Sequence, residues 1–358
     1  MGKIIAARRI AAKLNIGRVR TRGGTALSLL CLALAFKGID FREVWTALML
    51  TNYGFVLIAI AMVVVGVFVR AARWRLLFYP RHRKLRLNKL LAVLLIGQMT
   101  NIVIPGRFGE LVRVYMLGEI ERENKARVLG TIALEKAVDM LMLLFLLISL
   151  LPVMPLPRWV QESGAALVIT APSFFLTLIL LAYQKKRVLL AFTCLSRFLP
   201  RLRQVHLMRQ TEAALGSLDI LRRWDLGLWI LGWSILNWGL GAVTNYLIFL
   251  AMDVPLPFTA AIFLLLVLSL GVAVPSSPGK VGVFHYLTIL TLAIFGVERS
   301  FALTYSLVLH LVVFLPPSIL GAFFLWWENL SLRQLSTPMH RFVPSSLFAP
   351  PPGAEPPG

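Results

Sequence analysis

Acidic residues are scarce in this chain of 358 residues: 16 Asp and Glu stand against 37 Lys and Arg. Charged residues of both signs reach only 15%. A soluble domain carries about a quarter of its residues as charges, so composition already argues against one. Cysteine is nearly missing. Cys31 lies in an apolar segment and Cys194 in a basic one, without metal-ligand spacing, which leaves neither a disulfide framework nor a zinc site. The chain also lacks G-x-x-x-x-G-K-[ST], H-E-x-x-H, G-x-S-x-G and C-x-x-C. No catalytic activity, metal or cofactor is therefore expected.

What is abundant is apolar. Hydrophobic residues make up 58% and the mean hydropathy is +0.79, values of a polytopic membrane protein. The formal charge of +21 would also suit nucleic acid, so the placement of the charge decides. Its basic residues form clusters that alternate with apolar runs of spanning length, the positive-inside pattern. A nucleic-acid binder would instead gather them on one face of a soluble module. Membrane lipids, not nucleic acid, are the expected partners.

Six spans are predicted at Thr25 to Ile39, Tyr53 to Arg70, Val128 to Leu151, Gly164 to Tyr183, Leu226 to Ala251 and Phe301 to Trp327. Most reach the ~20 residues needed to cross the hydrocarbon core. The first is short, and Ala33-Leu34-Ala35 within it also reads as a signal-peptidase site; the remaining topology is the same either way. With the N-terminus cytoplasmic, only Lys37, Arg42, Arg158 and Arg299 fall in outside loops, and Lys136 and Lys280 fall within the membrane. All other Lys and Arg lie inside. That asymmetry places both termini in the cytoplasm of a cell inner-membrane protein.

One phrase occurs twice: Pro105-Gly106-Arg107-Phe108-Gly109 and Pro278-Gly279-Lys280-Val281-Gly282. Each interrupts a long apolar stretch, and a Pro-Gly pair does not continue a helix. In a bilayer such a break survives only against protein or a cavity. The stretch around Pro105 starts and ends on the cytoplasmic side, and the one around Pro278 starts and ends outside. With three spans in each half, the second half is inverted. The expected fold class is an all-α integral membrane protein of about six transmembrane helices plus two re-entrant hairpins in an inverted repeat, with substrate held where the hairpins meet. Residues 1–23 form a basic N-terminus, 24–160 and 161–335 the two membrane halves, and 336–358 a Pro-rich tail without a core. Residues 186–223 mix basic and apolar positions, which fits either an interfacial helix or an ordinary positive-inside loop.

Charge inside an apolar segment marks candidate function. Arg107, Glu110 and Arg113 follow the first turn on one side of a short helix, and a residue just after Pro-Gly sits near a helix N-terminus that favours anions. Arg107 offers a bidentate fork and Lys280 a point charge, together a phosphate-sized site reached from both halves. Glu135 and Asp139 stand four residues apart on one face of an apolar helix beside Lys136. Two such carboxylates need a nearby cation or a shared proton. They read as counter-charges for Arg107 or Arg113, as a proton-coupling site, or as an ion-pair network that locks hairpin to span. Asn101, Pro105, Gly106 and Gly109 shape the first turn, and Pro275, Pro278, Gly279 and Gly282 the second. Arg73-Trp74-Arg75 reads as an interface anchor closing the second span, and His285 and His310 as packing residues.

The string Asn101-Ile102-Val103-Ile104-Pro105-Gly106-Arg107-Phe108-Gly109-Glu110-Leu111-Val112-Arg113, followed by Glu135 and Asp139, resembles the flippase-like family that includes the transmembrane region of lysylphosphatidylglycerol synthases. So does Pro275-Ser276-Ser277-Pro278-Gly279-Lys280-Val281-Gly282. The resemblance spans roughly residues 24 to 330. It implies a membrane protein that moves lipids or lipid-linked molecules between leaflets, with the hairpins as its core. His285 and His310 stand where the family often has Glu and Arg, a departure in its usual charge pairing. The synthases add a large soluble domain, whereas this chain ends in its Pro-rich stretch, so synthase activity is not expected. A membrane subunit that presents lipid to a partner enzyme, and an ion-coupled transporter of small anions, are the alternatives.

The topology is directly testable. Single cysteines introduced near Arg122 should be labelled from the cytoplasm and those near Glu298 from outside; labelling of both from one face contradicts the inverted arrangement.

Overall fold

A computed structural model describes residues 28–104, 108–198, 205–271 and 277–327. Pro105, Gly106, Arg107 and Pro275 lie outside these, as do the basic N-terminus and the Pro-rich tail. Among the described residues the fold is all helical. A first helix, α1 (28–36), is followed by α2 (Phe41–Leu50), α3 (Tyr53–Leu76), α4 (Leu87–Val103), α5 (Gly109–Ile120), α6 (Lys125–Leu150) and α7 (Arg158–Tyr183). Then come α8 (Lys185–Phe198), α9 (Val205–Gly216), α10 (Trp224–Ala251), α11 (Phe258–Gly271), α12 (Val283–Ala293) and α13 (Arg299–Trp327).

Four of these, α3, α7, α10 and α13, are long and apolar enough to cross a membrane. At 26 residues α6 matches them in length, but Glu135, Lys136 and Asp139 interrupt its apolar run. The helices begin where short polar side chains cap them. Asn52 and Asn124 accept hydrogen bonds from the N–H groups of Gly54 (3.0 Å) and Ala126 (2.9 Å) at the starts of α3 and α6. Their outer faces are apolar: Leu57 and Phe68 on α3, Trp229 and Ile235 on α10, and Leu311 and Ile319 on α13 are all exposed. Such faces in water would be a large hydrophobic patch; they are the faces of a protein whose solvent is lipid. Trp224, Trp326 and Trp327 are exposed at helix ends, where an aromatic belt meets the membrane interface.

Of the first predicted span, Thr25 to Ile39, the described part is the single helix α1, which ends ahead of Gly38, in the left-handed region at φ 73°; Asp40 then caps α2 by accepting from the Arg42 N–H at 2.8 Å. α2 is amphipathic and packs on α13. The basic segment after α7 forms the amphipathic helices α8 and α9, and α9 packs on α6.

The two interrupted stretches form pairs of short helices, α4 with α5 and α11 with α12, whose members pack on each other. α5 and α12, with 12 and 11 residues, extend only ~16–18 Å, well short of a ~30 Å hydrocarbon core. Where α4 crosses α5, Gly97 faces Gly109: a Cβ on Gly109 would collide with the Gly97 carbonyl and the Asn101 side chain. In the second turn Gly279, Lys280 and Gly282 all have positive φ (66°, 58° and 91°), and a Cβ on Gly282 would strike the Ser28 carbonyl of α1.

α3 and α10 form the most extensive helix pair, and they run antiparallel. The Asn52 N–H donates to the Ala251 carbonyl (2.7 Å) at one end, Arg73 Nη1 donates to Ser234 Oγ (3.1 Å) further along, and Arg223 Nη1 donates to the Tyr79 hydroxyl (3.2 Å) at the other end. Two hydrophobic cores sit at opposite ends of this pair. One joins α4 and α5 to Val67, Ala71 and Trp74 of α3 and Ile230 of α10. The other joins α11 and α12 to Val56 and Ala59 of α3 and Ile248 and Phe249 of α10. The two pairs of short helices therefore sit toward opposite ends of α3 and α10.

The glycine crossing gives a test of this packing. Gly109→Ala should destabilise the protein by about 1–3 kcal/mol, the cost of overpacking a tight contact. Gly232→Ala, on an open stretch of α10 with nothing within 4 Å, should be neutral or mildly stabilising. Thermal unfolding in detergent distinguishes the two; equal effects contradict the close crossing.

Candidate functional site

A carboxylate in an apolar helix bundle needs a cation, and Glu135 of α6 is met by several. Its Oε2 accepts a hydrogen bond from Arg113 Nη2 of α5 at 2.6 Å. Its Oε1 lies 3.8 Å from Arg70 Nη2 and 3.9 Å from Arg73 Nη2, both on α3. Arg73 Nη2 also stands 2.8 Å from Asp139 Oδ1, off the hydrogen-bonding direction. One helical turn separates Arg70 from Arg73 and another separates Glu135 from Asp139, so the basic face of α3 is turned toward the acidic face of α6 and the long arginine side chains bridge the two. The Arg113 guanidinium lies over the Trp74 ring, 4.0 Å from its centroid, and Trp74 Nε1 donates to Thr131 Oγ1 at 3.2 Å.

The network has a buried end and an open end. Side chains of Glu135 and Arg73 are 1% exposed and Arg113 is 5%, while Arg70 is 30% and Asp139 22%. Its charges do not balance: the guanidinium groups of Arg70, Arg73 and Arg113 face the carboxylates of Glu135 and Asp139, one positive charge in excess. The other acid, Glu110, is settled separately. Lys136 Nζ is 3.5 Å from its Oε1, and Asn101 Nδ2 donates to its Oε2 at 3.2 Å. Asn101 Oδ1 also accepts from the Gly109 N–H (2.7 Å), so one amide ties the end of α4 to the start of α5.

The structure thus brings together Asn101, Glu110, Arg113, Glu135 and Asp139. Arg107 falls outside the described residues. Lys280 does not begin a helix as its place after Pro-Gly predicted: it lies in the left-handed turn ahead of α12, with Nζ 5.5 Å from the centre of the Phe314 ring on α13. That turn is steadied by His310, whose Nε2 is 2.8 Å from the Gly279 carbonyl, and the His310 ring lies tilted against His285 with ring centres 5.0 Å apart. Nor is Arg73-Trp74-Arg75 an interface anchor as a unit. α3 continues past Arg70 to Leu76, Arg73 and Trp74 are buried against α5 and α6, and only Arg75 turns to the loop, donating to the His82 carbonyl at 3.0 Å. The available signal was the i, i+3 spacing of Arg70 and Arg73, which matches the acidic face of α6 and has no acid within its own segment.

Two cavities flank this network. One of about 320 Å³ takes in Arg70 of α3, Gln98 of α4, Asp139 of α6 and Trp238 of α10. The other, about 480 Å³ and almost wholly apolar, lies between α6, α7 and α10, with Arg223 and Trp224 at one end.

Long lipid-facing helices around a buried ion network define a multi-pass α-helical membrane protein. Its family is equally plain. The chain belongs to the family described as the lysylphosphatidylglycerol synthase TM region, whose profile matches residues 23–321. It is 25% identical over 311 residues to a UPF0104 membrane protein of Methanothermobacter thermautotrophicus, a match that covers 82% of this chain and 91% of that protein. No solved structure matches it significantly.

Removing one member of a buried pair leaves the other charge uncompensated, at about 3–5 kcal/mol. Glu135→Gln should therefore lower the unfolding temperature strongly, while Lys136→Gln, at a more exposed pair, should change stability by about 1 kcal/mol or less. Comparable melting of the two variants contradicts the central place of Glu135.

Proposed function

We propose that this protein translocates a lipid with an anionic head group between the leaflets of the cell inner membrane. The observation that carries the reading is the excess of arginine over carboxylate deep within the helix bundle. Uncompensated positive charge in a low-dielectric setting is costly, and an anionic ligand relieves it. Six crossings follow if the α1 region and α6 span along with the four most apolar helices, with α4–α5 and α11–α12 as re-entrant hairpins and both termini in the cytoplasm.

Packing supports a repeat. If α2 to α6 of the first half correspond to α9 to α13 of the second, then α4 against α13 has its counterpart in α6 against α11. Likewise α2 against α13 matches α6 against α9, and α3 against α13 matches α6 against α10. α3 corresponds to α10, with which it is antiparallel, as an inverted repeat requires. The apolar cavity between α6, α7 and α10 favours a lipid over a small soluble anion, since it offers room for a chain beside the charged site. The amphipathic α8 and α9 are the feature that favours the second reading, a subunit that presents lipid to a partner enzyme.

In this reading Arg107 and Lys280, on matching turns, meet the phosphate as it passes. Arg107→Ala or Lys280→Ala should each slow transfer of anionic lipid about tenfold or more, the loss of one charge-assisted bond of roughly 1.5–3 kcal/mol. Because the two share one ligand, the double variant should depart from the product of the singles. Labelled lipids in vesicles reconstituted with the purified protein provide the measurement. Transfer that is unchanged in both singles contradicts the role of the turns, and no transfer by the intact protein contradicts the translocase reading itself.

A further inference from the structure

Two histidines where α12 meets α13 each hold one hydrogen bond and keep one bare nitrogen. His285 of α12 is buried, His310 of α13 is half-buried, and their ring centres are 5.0 Å apart. Counting donors assigns the hydrogens around them. Ser306 Oγ has a single hydrogen and gives it to the Leu303 carbonyl at 2.7 Å. Toward His285 Nδ1, 3.0 Å away, it can then only accept, so Nδ1 carries the ring hydrogen and Nε2 is bare. The Gly279 carbonyl can only accept as well. His310 Nε2, 2.8 Å from it, therefore carries that ring's hydrogen, and Nδ1 is bare. Neither bare nitrogen has a hydrogen-bond partner among the described residues.

In both bonds the ring is the donor, so imidazole and imidazolium serve them alike. A proton can be added at either bare nitrogen without breaking a contact, and the charge-assisted bond that results is the stronger one. The surroundings admit one such proton. Lys280, in the turn that His310 holds, has its Nζ 5.5 Å from the centre of the Phe314 ring, and that ring lies 4.5 Å from the ring of His310. No ion pair among the described residues includes either histidine. A proton on one ring is felt by the other 5.0 Å away, and Lys280 adds to that repulsion, so the pair holds one proton and resists a second.

The packed elements bring no further charge to the pair. α11 has no titratable side chain, α1 has Cys31, and α4 has Lys89 in its first turn. The arginines of α3 and Asp225 of α10 lie toward the other hydrophobic core. Tyr305 of α13 donates to the Asn245 carbonyl at 2.8 Å, Tyr246 of α10 packs on Phe258, and Tyr286 follows His285 on α12, a step of about 100° round the helix. Arg42 and Glu43 of α2 sit where Asp40 meets Ser300 (3.3 Å), ten residues or about 15 Å along α13 from His310.

We propose that His285 and His310 form a single-proton site in the second hairpin, and that its proton is coupled to an anion held at the neighbouring turn. The coupling rests on the translocase reading above; the proton site does not. With the proton bound, an imidazolium stands with Lys280 at the turn and an anion is held more tightly. By the same linkage an anion at the turn favours the protonated pair. Proton and anion then bind together, as a symport requires.

The site is tested by NMR of the full-length protein, isotope-labelled at histidine nitrogen, in phosphatidylcholine nanodiscs. At neutral pH His285 should show the Nδ1–H form and His310 the Nε2–H form. As the pH falls from about 7.5 to about 4.5, the two rings together should gain one proton before a second. Rings that both stay neutral until acid unfolds the protein, or that take up two protons independently, overturn the site.

The coupling is tested by transfer of labelled phosphatidylglycerol in reconstituted vesicles, with the pH changed on both sides. His285→Asn places an amide N–H where Nδ1–H was, and His310→Gln places one where Nε2–H was, so each variant keeps its hydrogen bond and loses the titrating ring. Transfer by the intact protein should rise about fivefold or more as the pair takes its proton, and about twofold or less in either variant, with melting temperatures close to that of the intact protein. A pH profile as steep in both variants as in the intact protein overturns the coupling. If the intact protein transfers no anionic lipid at any pH, the translocase reading falls and the coupling with it, while a one-proton titration in the NMR experiment still upholds the site. Should one variant fail to fold, the other variant and the NMR of the intact protein decide.

Discussion

The contact between Glu135 and its arginines is the constraint on which the rest of the bundle depends. A carboxylate with 1% of its side chain exposed can stay ionised only if cations surround it, and those cations come from α3 and α5. Arg113 can reach Glu135 only if α5 turns back on α4, which requires the Gly97 and Gly109 crossing and the Asn101 bridge. Arg73 can reach it only if α3 turns this face toward α6, where it also bonds Ser234 of α10. One buried acid thus fixes the relative placement of α3, α5, α6 and α10. Such networks add little net stability over apolar packing, and their best-attested value is in fixing register. The second hairpin has no comparable network among the described residues; its turn rests on His310, Gly282 and the carbonyl of Ser28.

Much of this was legible in the sequence. Apolar runs located α3, α6, α7, α10 and α13, and the two Pro-Gly phrases located the short helix pairs. Spacing of Glu135 and Asp139 marked the acidic face of α6. Arg113 was already one of the partners expected for these acids; what spacing left open was the choice between it and Arg107, and it gave no sign of Arg70 and Arg73. Arg113 had Glu110 three residues before it, yet it pairs with Glu135, 22 residues on, while Glu110 turns to Lys136 and Asn101. The choice is made by the angle at which α5 leaves its turn, which only packing sets. Arg73 was read as an interface anchor for a similar reason: a basic residue at the end of an apolar run has the same local pattern whether it meets water or a carboxylate on another helix. α2 was missed because ten residues beginning with Phe41-Arg42-Glu43 are too short and too mixed to announce a helix without the Asp40 cap.

Function joins these parts through charge. Arg70, Arg73 and Arg113 outnumber the acids they meet, and the surplus opens at Arg70 onto the 320 Å³ cavity, whose wall mixes polar and apolar side chains. In the proposed reading, the helix pairs α4–α5 and α11–α12, set toward opposite ends of the antiparallel α3 and α10, would give access to it from the two sides. This geometry suits a head group that must cross the bilayer while its chains remain in lipid.

The most direct test of the central claim is the location of the phosphate. A high-resolution cryo-EM map of the full-length protein in nanodiscs rich in phosphatidylglycerol should show head-group density beside Arg70, at mid-height between α3, α6 and α10. A cavity filled by acyl chain alone, with phosphate density only at the membrane interfaces, would contradict the account.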